Sequence, residues 1–326
     1  MNPEIFAEWL RRQGRRVVRS ESSYWYEAGP LAFQAFPYHR LIQPKETELI
    51  GLLRRHRVAA LRYSTPVDAP PGSISYHAIY EHPVYTLESL DRRSRQNVRT
   101  GLASCRVEPI PLARLAVEGW LLELDTAERQ GRRILWDKEA WRIRCEAAAD
   151  LPGFEAWGAL VGDRLVASLL TFQMGDCCEL ISQQCLRDYL SNRVNNAIVF
   201  VVTQEMVKRP GVRSIFYTLQ SLDAPASIDE FKFRMGYQPK PVLQRVVFHP
   251  WLAHFVNGAS HRVVRKLLGR APGNPVLSKI EGMMRFYLTG RKPLSEQDWP
   301  ACLGVRRSEM LGRHERTQND LAYETR

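Results

Sequence analysis

No stretch of the 326 residues approaches the roughly 20 consecutive apolar positions that a membrane-spanning helix needs. The start, MNPEIFAEWLRRQGRR, lacks the apolar segment and small-residue cleavage pattern of a secretory leader, so a cytoplasmic protein without a transmembrane segment is expected. The six cysteines (Cys105, Cys145, Cys177, Cys178, Cys185 and Cys302) form no C-x-x-C pair. His249, His254 and His261 cluster apart from them, so neither a zinc site nor a disulfide framework is expected. Reduced thiols fit best, with Cys185 a structural thiol rather than a nucleophile. Cys177 and Cys178 are neighbours on an expected strand, so one should enter the core and the other should not. No internal repeat recurs at a solenoid period. Acid is also short: 35 Asp+Glu against 46 Lys+Arg leaves a net charge of +11. From His249 onward there are 13 Lys+Arg against 7 Asp+Glu, which places +6 of the +11 in the last quarter. Such a balance suits polyanionic partners, namely RNA, an anionic membrane surface or a phosphate-rich cofactor, although a solvated Arg-rich surface has the same composition.

What is present is ordinary globular material, 44% hydrophobic and 25% charged, over a length that suits two compact units at roughly 100–200 residues each. Ile5 to Leu10 reads as a short helix, followed by the strand-like runs VVRSESSYWYEA and LAFQAFPYHRLI. KETELIGLLRRHR reads as a helix, VAALRYS as a strand and TPVDAPPGS as an exposed connector. Next come a basic helix over 87–103, the strand CRVEPIPL, and a helix with Val117, Leu121 and Leu124 at helical spacing. A second helix, DKEAWRIRCEAAADL, stops before Pro152. EAWGALV, RLVASLLTFQM and CCELISQQCL give three antiparallel strands through the tight turns Gly162-Asp163 and Gly175-Asp176. The helix NRVNNAIVFVVTQEMVKR shows one apolar face, at Val194, Ile198, Val201 and Val202. The strand VRSIFYTLQ, a short helix around SIDEFKFRMG and a strand PVLQRVVFHP follow. After Pro250 the chain is amphipathic, with Leu252, Phe255, Val256, Val263 and Leu267 opposed by Arg262, Arg265 and Lys266. Docking on the core is the first reading of that stretch and a membrane-surface anchor the second.

The order of elements between about Leu87 and Phe248 resembles the core of the GNAT (N-acetyltransferase-like) acyltransferases. RSRQNVRTGLASCRVEPI resembles the basic helix-into-strand that opens the catalytic half of the bacterial FemAB-like proteins. FKFRMGYQP is similar to their FK-x-x-F/M-G element, and WGALVGDRLVASLLTFQMGDCCEL to the hairpin of the superfamily. The resemblance covers about half of the chain. It implies an α/β (α+β) fold, a GNAT-like mixed, mostly antiparallel twisted sheet flanked by helices. It also implies an acyltransferase domain over 86–250, a shorter, degenerate GNAT-like half over 1–85 and a basic helical extension over 251–326. One element departs from the pattern. The usual Gln/Arg-x-x-Gly-x-Gly/Ala loop, whose amides cradle a pyrophosphate at a helix N-terminus, is replaced here by QCLRDYLSNRVNN, without glycine.

The activity implied is direct N-acyl transfer from a thioester, acetyl-CoA or another acyl-CoA, to an amine on a small molecule, peptide or glycan. In this fold two neighbouring parallel strands splay apart, here CCELISQQCL and VRSIFYTLQ, and expose N–H groups to a carbonyl oxygen as it gains charge. Positioning and removal of one proton complete the chemistry. The resemblance puts Tyr217 near the proton donor for the leaving group, and Asp223, Asp229 and Glu230 offer a base near the cleft. Arg187, Ser191, Arg193 and Asn195, before and at the start of the central helix, and Lys232 of the FK element are candidates for the donor's phosphates. Gln183 and Gln184 are candidates for binding substrate. Each also has an ordinary structural reading: helix caps, turn amides, or a lysine lying over the sheet edge. Two further functions stay open. One is aminoacyl transfer from aminoacyl-tRNA; the other is a catalytically silent module binding RNA or membrane through its basic surface.

Overall fold

The computed structural model describes residues 2–311, apart from 30, 70, 132, 133, 135, 223–225 and 272 and the side chains of 226–228. The chain begins with α1 (Pro3–Arg12), β1 (Val17–Arg19), β2 (Tyr24–Gly29), β3 (Ala32–Phe36), α2 (Glu46–His56), β4 (Ala60–Thr65) and β5 (Ser73–Tyr80). It continues with α3 (Arg92–Ser104), β6 (Arg106–Ile110), α4 (Leu112–Arg129), α5 (Lys138–Glu146), β7 (Phe154–Val161), β8 (Arg164–Met174) and β9 (Cys177–Cys185). Then come α6 (Val194–Val207), β10 (Ser214–Leu219), α7 (Ala226–Arg234) and β11 (Gln238–Phe248). The last helices are α8 (Pro250–Ala253), α9 (Gly258–Arg270) and α10 (Pro275–Thr289). Two compact units result, and neither is one continuous segment. Unit 1 comprises Met1–Val17, Ala78–Thr218 and Pro225–Gln238, and unit 2 comprises Val18–His77, Leu219–Ala224 and Pro239–Arg326.

Unit 1 orders its strands β10-β9-β8-β7-β6. The neighbours from β6 to β9 are antiparallel, and β10 joins β9 in parallel. Val161 pairs with Arg164 across a two-residue turn in which Gly162 holds φ 57°, a left-handed conformation that costs glycine little. Asp91 and Asp137 cap α3 and α5 by accepting from Ser94 N and Ala140 N, both at 2.9 Å. The N-terminal helix belongs here as well. Phe6 and Trp9 of α1 pack on Phe154 and Phe172 of the sheet, and Trp9 Nε1 donates to the Arg144 carbonyl at 2.9 Å.

Three details differ from expectation. Cys177 and Cys178 are both buried, because β9 is covered on both faces. Helix α6 is buried nearly all round, at Val194, Ala197, Ile198, Val199, Phe200, Val202, Thr203 and Met206, rather than along one face. On α4 the apolar row Val117, Leu121 and Leu124 faces solvent, at 70%, 65% and 39% exposure. The helix instead buries Leu115, Ala116, Gly119, Leu122, Glu123, Thr126 and Ala127.

Helices α3 and α6 touch where Gly101 meets the start of α6. A methyl group there would lie 2.5 Å from the Arg193 carbonyl oxygen and 2.9 Å from Ala197 Cβ. Gly101→Ala is therefore expected to push the helices apart at a cost of about 1–3 kcal/mol, read as a lower denaturation midpoint.

Unit 2 holds β1-β2-β3-β4-β11 and the Ser73–His77 part of β5, in that order. β2–β3 and β4–β11 are antiparallel, and β3–β4 is parallel. Helix α2 packs Leu49, Leu52 and Leu53 into a cluster with Trp25, Phe33, Leu61 and Tyr63. Ser64 Oγ and His77 Nε2 lie 2.9 Å apart in the buried interior, where burial lowers the imidazole pKa to about 3 and keeps it neutral.

Candidate active site

Strands β9 and β10 pair only at Cys177–Ser214, Cys178–Ile215 and Glu179–Phe216, and beyond that point they diverge. The β8–β9 register passes from Thr171–Leu180 to Leu170–Ser182, so Ile181 is an extra residue, a β-bulge at the mouth of the fork. A cavity of about 460 Å³ fills the fork. Leu180 to Cys185 form one wall and Tyr217 and Thr218 the other, with Thr126 and Arg129 of α4, Gln130 just after it, Asn195 of α6, and Phe231 and Lys232 of α7 closing it.

The polar side chains around the cavity are wired to one another. Tyr217 Oη donates to Gln183 Oε1, and Gln183 Nε2 donates to Asn195 Oδ1 at 2.9 Å, tying β10, β9 and α6 together. Burial pushes the Tyr217 phenol well above its ordinary value, so it stays protonated. Lys232 Nζ lies 2.5 Å from Asp229 Oδ1, with the two side chains only 11% and 8% exposed. The same ammonium sits 5.5 Å from the centre of the Tyr217 ring. Burial lowers the Lys232 pKa below the ordinary lysine value, against the opposing pull of Asp229.

Behind the wall, Gln184 Nε2 donates to Glu123 Oε2 at 3.0 Å and Gln184 Oε1 accepts from Ser168 Oγ at 3.2 Å. Thr126 Oγ1 spans the end of β9, accepting from Cys185 N at 3.0 Å and donating to its carbonyl at 3.1 Å. Burial raises the Cys185 thiol to about 12, which makes it a poor nucleophile.

Of the residues singled out in the sequence, Gln183, Gln184, Asn195, Tyr217 and Lys232 line this one cavity. Among the described residues the others do not line it. Arg187 Nε is 2.5 Å from Asp125 Oδ1, and the same guanidinium also pairs with Glu128. Ser191 Oγ donates to Asn192 Oδ1 at 3.2 Å on the surface. Arg193 is exposed and takes a left-handed φ of 60° just before α6, a conformation that glycine adopts at less cost. Glu230 is exposed and accepts from Arg234 at 2.8 Å. Asp223 lies outside the described residues.

Sequence reasoning missed the contribution of α4. Glu123 and Thr126, with Gln130 just past the helix end, recur at helical spacing, and that polar row was the available signal. Among the described residues no cluster of His, Cys, Asp and Glu could hold a metal ion, and no helix is long and apolar enough to cross a membrane.

No protein-family model matches the sequence, and no curated protein matches it. Solved structures do. FemX superposes with a TM-score of 0.52 at 10% identity, covering 76% of this chain and 92% of FemX. L-PGS from Bacillus licheniformis superposes with a TM-score of 0.50 at 10% identity, covering 84% of this chain and 98% of its own. The fold is therefore similar to those of FemX and L-PGS. At such identities the likeness concerns the fold alone, and the chemistry of the cleft rests on the chain's own residues.

Proposed function

We propose that the fork between β9 and β10 transfers an acyl group from a thioester donor, an acyl-CoA, to an amine. The divergence of the two strands beside the Ile181 bulge carries this reading. Past Glu179 the β9 edge has no β10 partner, and its main-chain N–H groups would hold a carbonyl oxygen as it gains charge. Helix α6 has no side-chain cap; Asn196 N is held by the Arg193 carbonyl, and the amides before it would meet phosphate oxygens without a glycine-rich loop. Arg193 is the exposed cation at that helix start, and Lys232 with Asp229 fixes charge on the cavity floor. As the amine nitrogen bonds to the acyl carbon, the carbon–sulfur bond breaks. Tyr217 gives its proton to the departing thiolate, and the proton shed by the amine replaces it.

One observation favours a second reading. The net charge of +11 suits a polyanionic donor, an aminoacyl-tRNA ester.

Melting of the protein with acetyl-CoA, longer acyl-CoAs and free CoA decides between them. One acyl-CoA at about 100 times its Kd should stabilise by ~2.7 kcal/mol. Arg193→Ala and Lys232→Ala should weaken that shift. No shift with any CoA species rejects the thioester donor, and a shift with a non-hydrolysable aminoacyl-tRNA analogue would assign the ester in its place.

A further inference from the structure

The last helices of unit 2 bear a surface that the acyl-transfer reading does not use. Trp251 of α8 and Phe255 just after it are 69% and 62% exposed, with ring centres 5.7 Å apart. Helix α9 buries none of its residues. His261, Val264 and Leu268 are its half-buried row, and His261 Nε2 meets Glu281 of α10 at 2.9 Å. The docked apolar face expected from the sequence is therefore a different one: Val263 and Leu267, one turn apart, stand 59% and 43% exposed. Beside them Arg262, Lys266 and Arg270 repeat every fourth residue, all exposed. From His249 to Ile280 the sequence has five cations (Arg262, Arg265, Lys266, Arg270 and Lys279) and no acid.

We propose that α8 and α9 dock the protein on an anionic phospholipid surface. Exposed Trp and Phe suit the headgroup boundary, Val263 and Leu267 the acyl region beneath it, and the basic row the anionic headgroups. Charge complementarity selects this occupant. A second copy of the chain, meeting the same patch about a twofold axis, would set the cationic row against itself with no acid in that stretch to neutralise it. RNA would satisfy the cations but gains little from exposed Val263 and Leu267.

Sedimentation of the full chain with vesicles tests the proposal independently of catalysis. Binding is expected to vesicles of phosphatidylcholine containing phosphatidylglycerol, weakening with added salt, and not to phosphatidylcholine alone. Replacing Arg262, Lys266 and Arg270 by Gln should lower partitioning on the order of 100-fold, at about fivefold per cation. Trp251→Ser with Phe255→Ser should lower it by at least about tenfold. All five side chains are exposed, so melting should be unchanged in both variants. Equal binding to neutral vesicles, or binding that survives both sets of substitutions, overturns the proposal. So does absence of binding to the phosphatidylglycerol vesicles, and a dimer that Trp251→Ser dissolves, or RNA binding, would then name the occupant instead.

Discussion

Lys232→Met is expected to lower kcat/KM for acyl transfer on the order of 100-fold or more, because it removes the preorganised positive charge on the floor of the cavity. The same change leaves Asp229 buried without its cation, which costs about 3–5 kcal/mol and by itself could depress activity through unfolding. The double variant Lys232→Met, Asp229→Leu separates the two effects. It removes both charges, so stability should return to near the parent value while activity stays low. Recovery of activity in the double variant would show that Lys232 serves the fold and not the chemistry. The pH dependence gives a second readout. Burial holds the Lys232 pKa in the folded protein below the ordinary 10.5, so between these two values the unfolded chain binds more protons than the folded one. This group therefore adds stability as pH rises through that window. Activity that needs the ammonium should fall across the same window, and opposite slopes in the two profiles are the signature to look for.

Phe172→Ala is expected to destabilise unit 1 by about 3–5 kcal/mol, the range for emptying a buried aromatic site. Phe172 is fully buried, with ring centres 4.3 Å from Phe154 and 5.4 Å from Phe6. The substitution removes a side chain of β8 and also the platform on which α1 rests. The cavity lies between an early helix and a central strand, so limited collapse around it is expected. Chemical denaturation followed by tryptophan fluorescence should show the loss, and Trp9 should become accessible to quenchers earlier than the other indoles. A midpoint within about 1 kcal/mol of the parent would mean that α1 is not held by this cluster.

Much of this was legible in the sequence because it is written in local patterns. The two-residue turns at Gly162 and Gly175 and the helix over KETELIGLLRRHR act within a few residues of themselves. The cleft was legible where a short string marked it, as Lys232 is marked by its FK neighbourhood and Tyr217 by its strand. Strand β5 was not. Ser73 to Ala78 alternate polar and apolar as a half-exposed strand would, yet all eight residues of SISYHAIY are buried, so the pattern is that of a strand with a solvent face this one does not have. Helix α4 misled for a related reason. Its most conspicuous apolar row lies outside, while Glu123 and Thr126, which look like surface residues, are buried and hold β9. Arg187 gave no hint of its partners, since Asp125 and Glu128 lie some 60 residues earlier in the chain. Periodicity reports that a helix has two sides but not which of them meets the rest of the protein.

The discontinuity of unit 1 has a consequence during synthesis. Phe6 leaves the ribosome 166 positions ahead of Phe172, its partner in the sheet, and unit 1 is not complete until Gln238 has followed. At about 5–20 residues per second, α1 waits on the order of 10–30 s with Phe6, Trp9 and Leu10 uncovered. A nascent chain stalled before β8 should therefore offer this helix to a holding chaperone, and one extended past β11 should not.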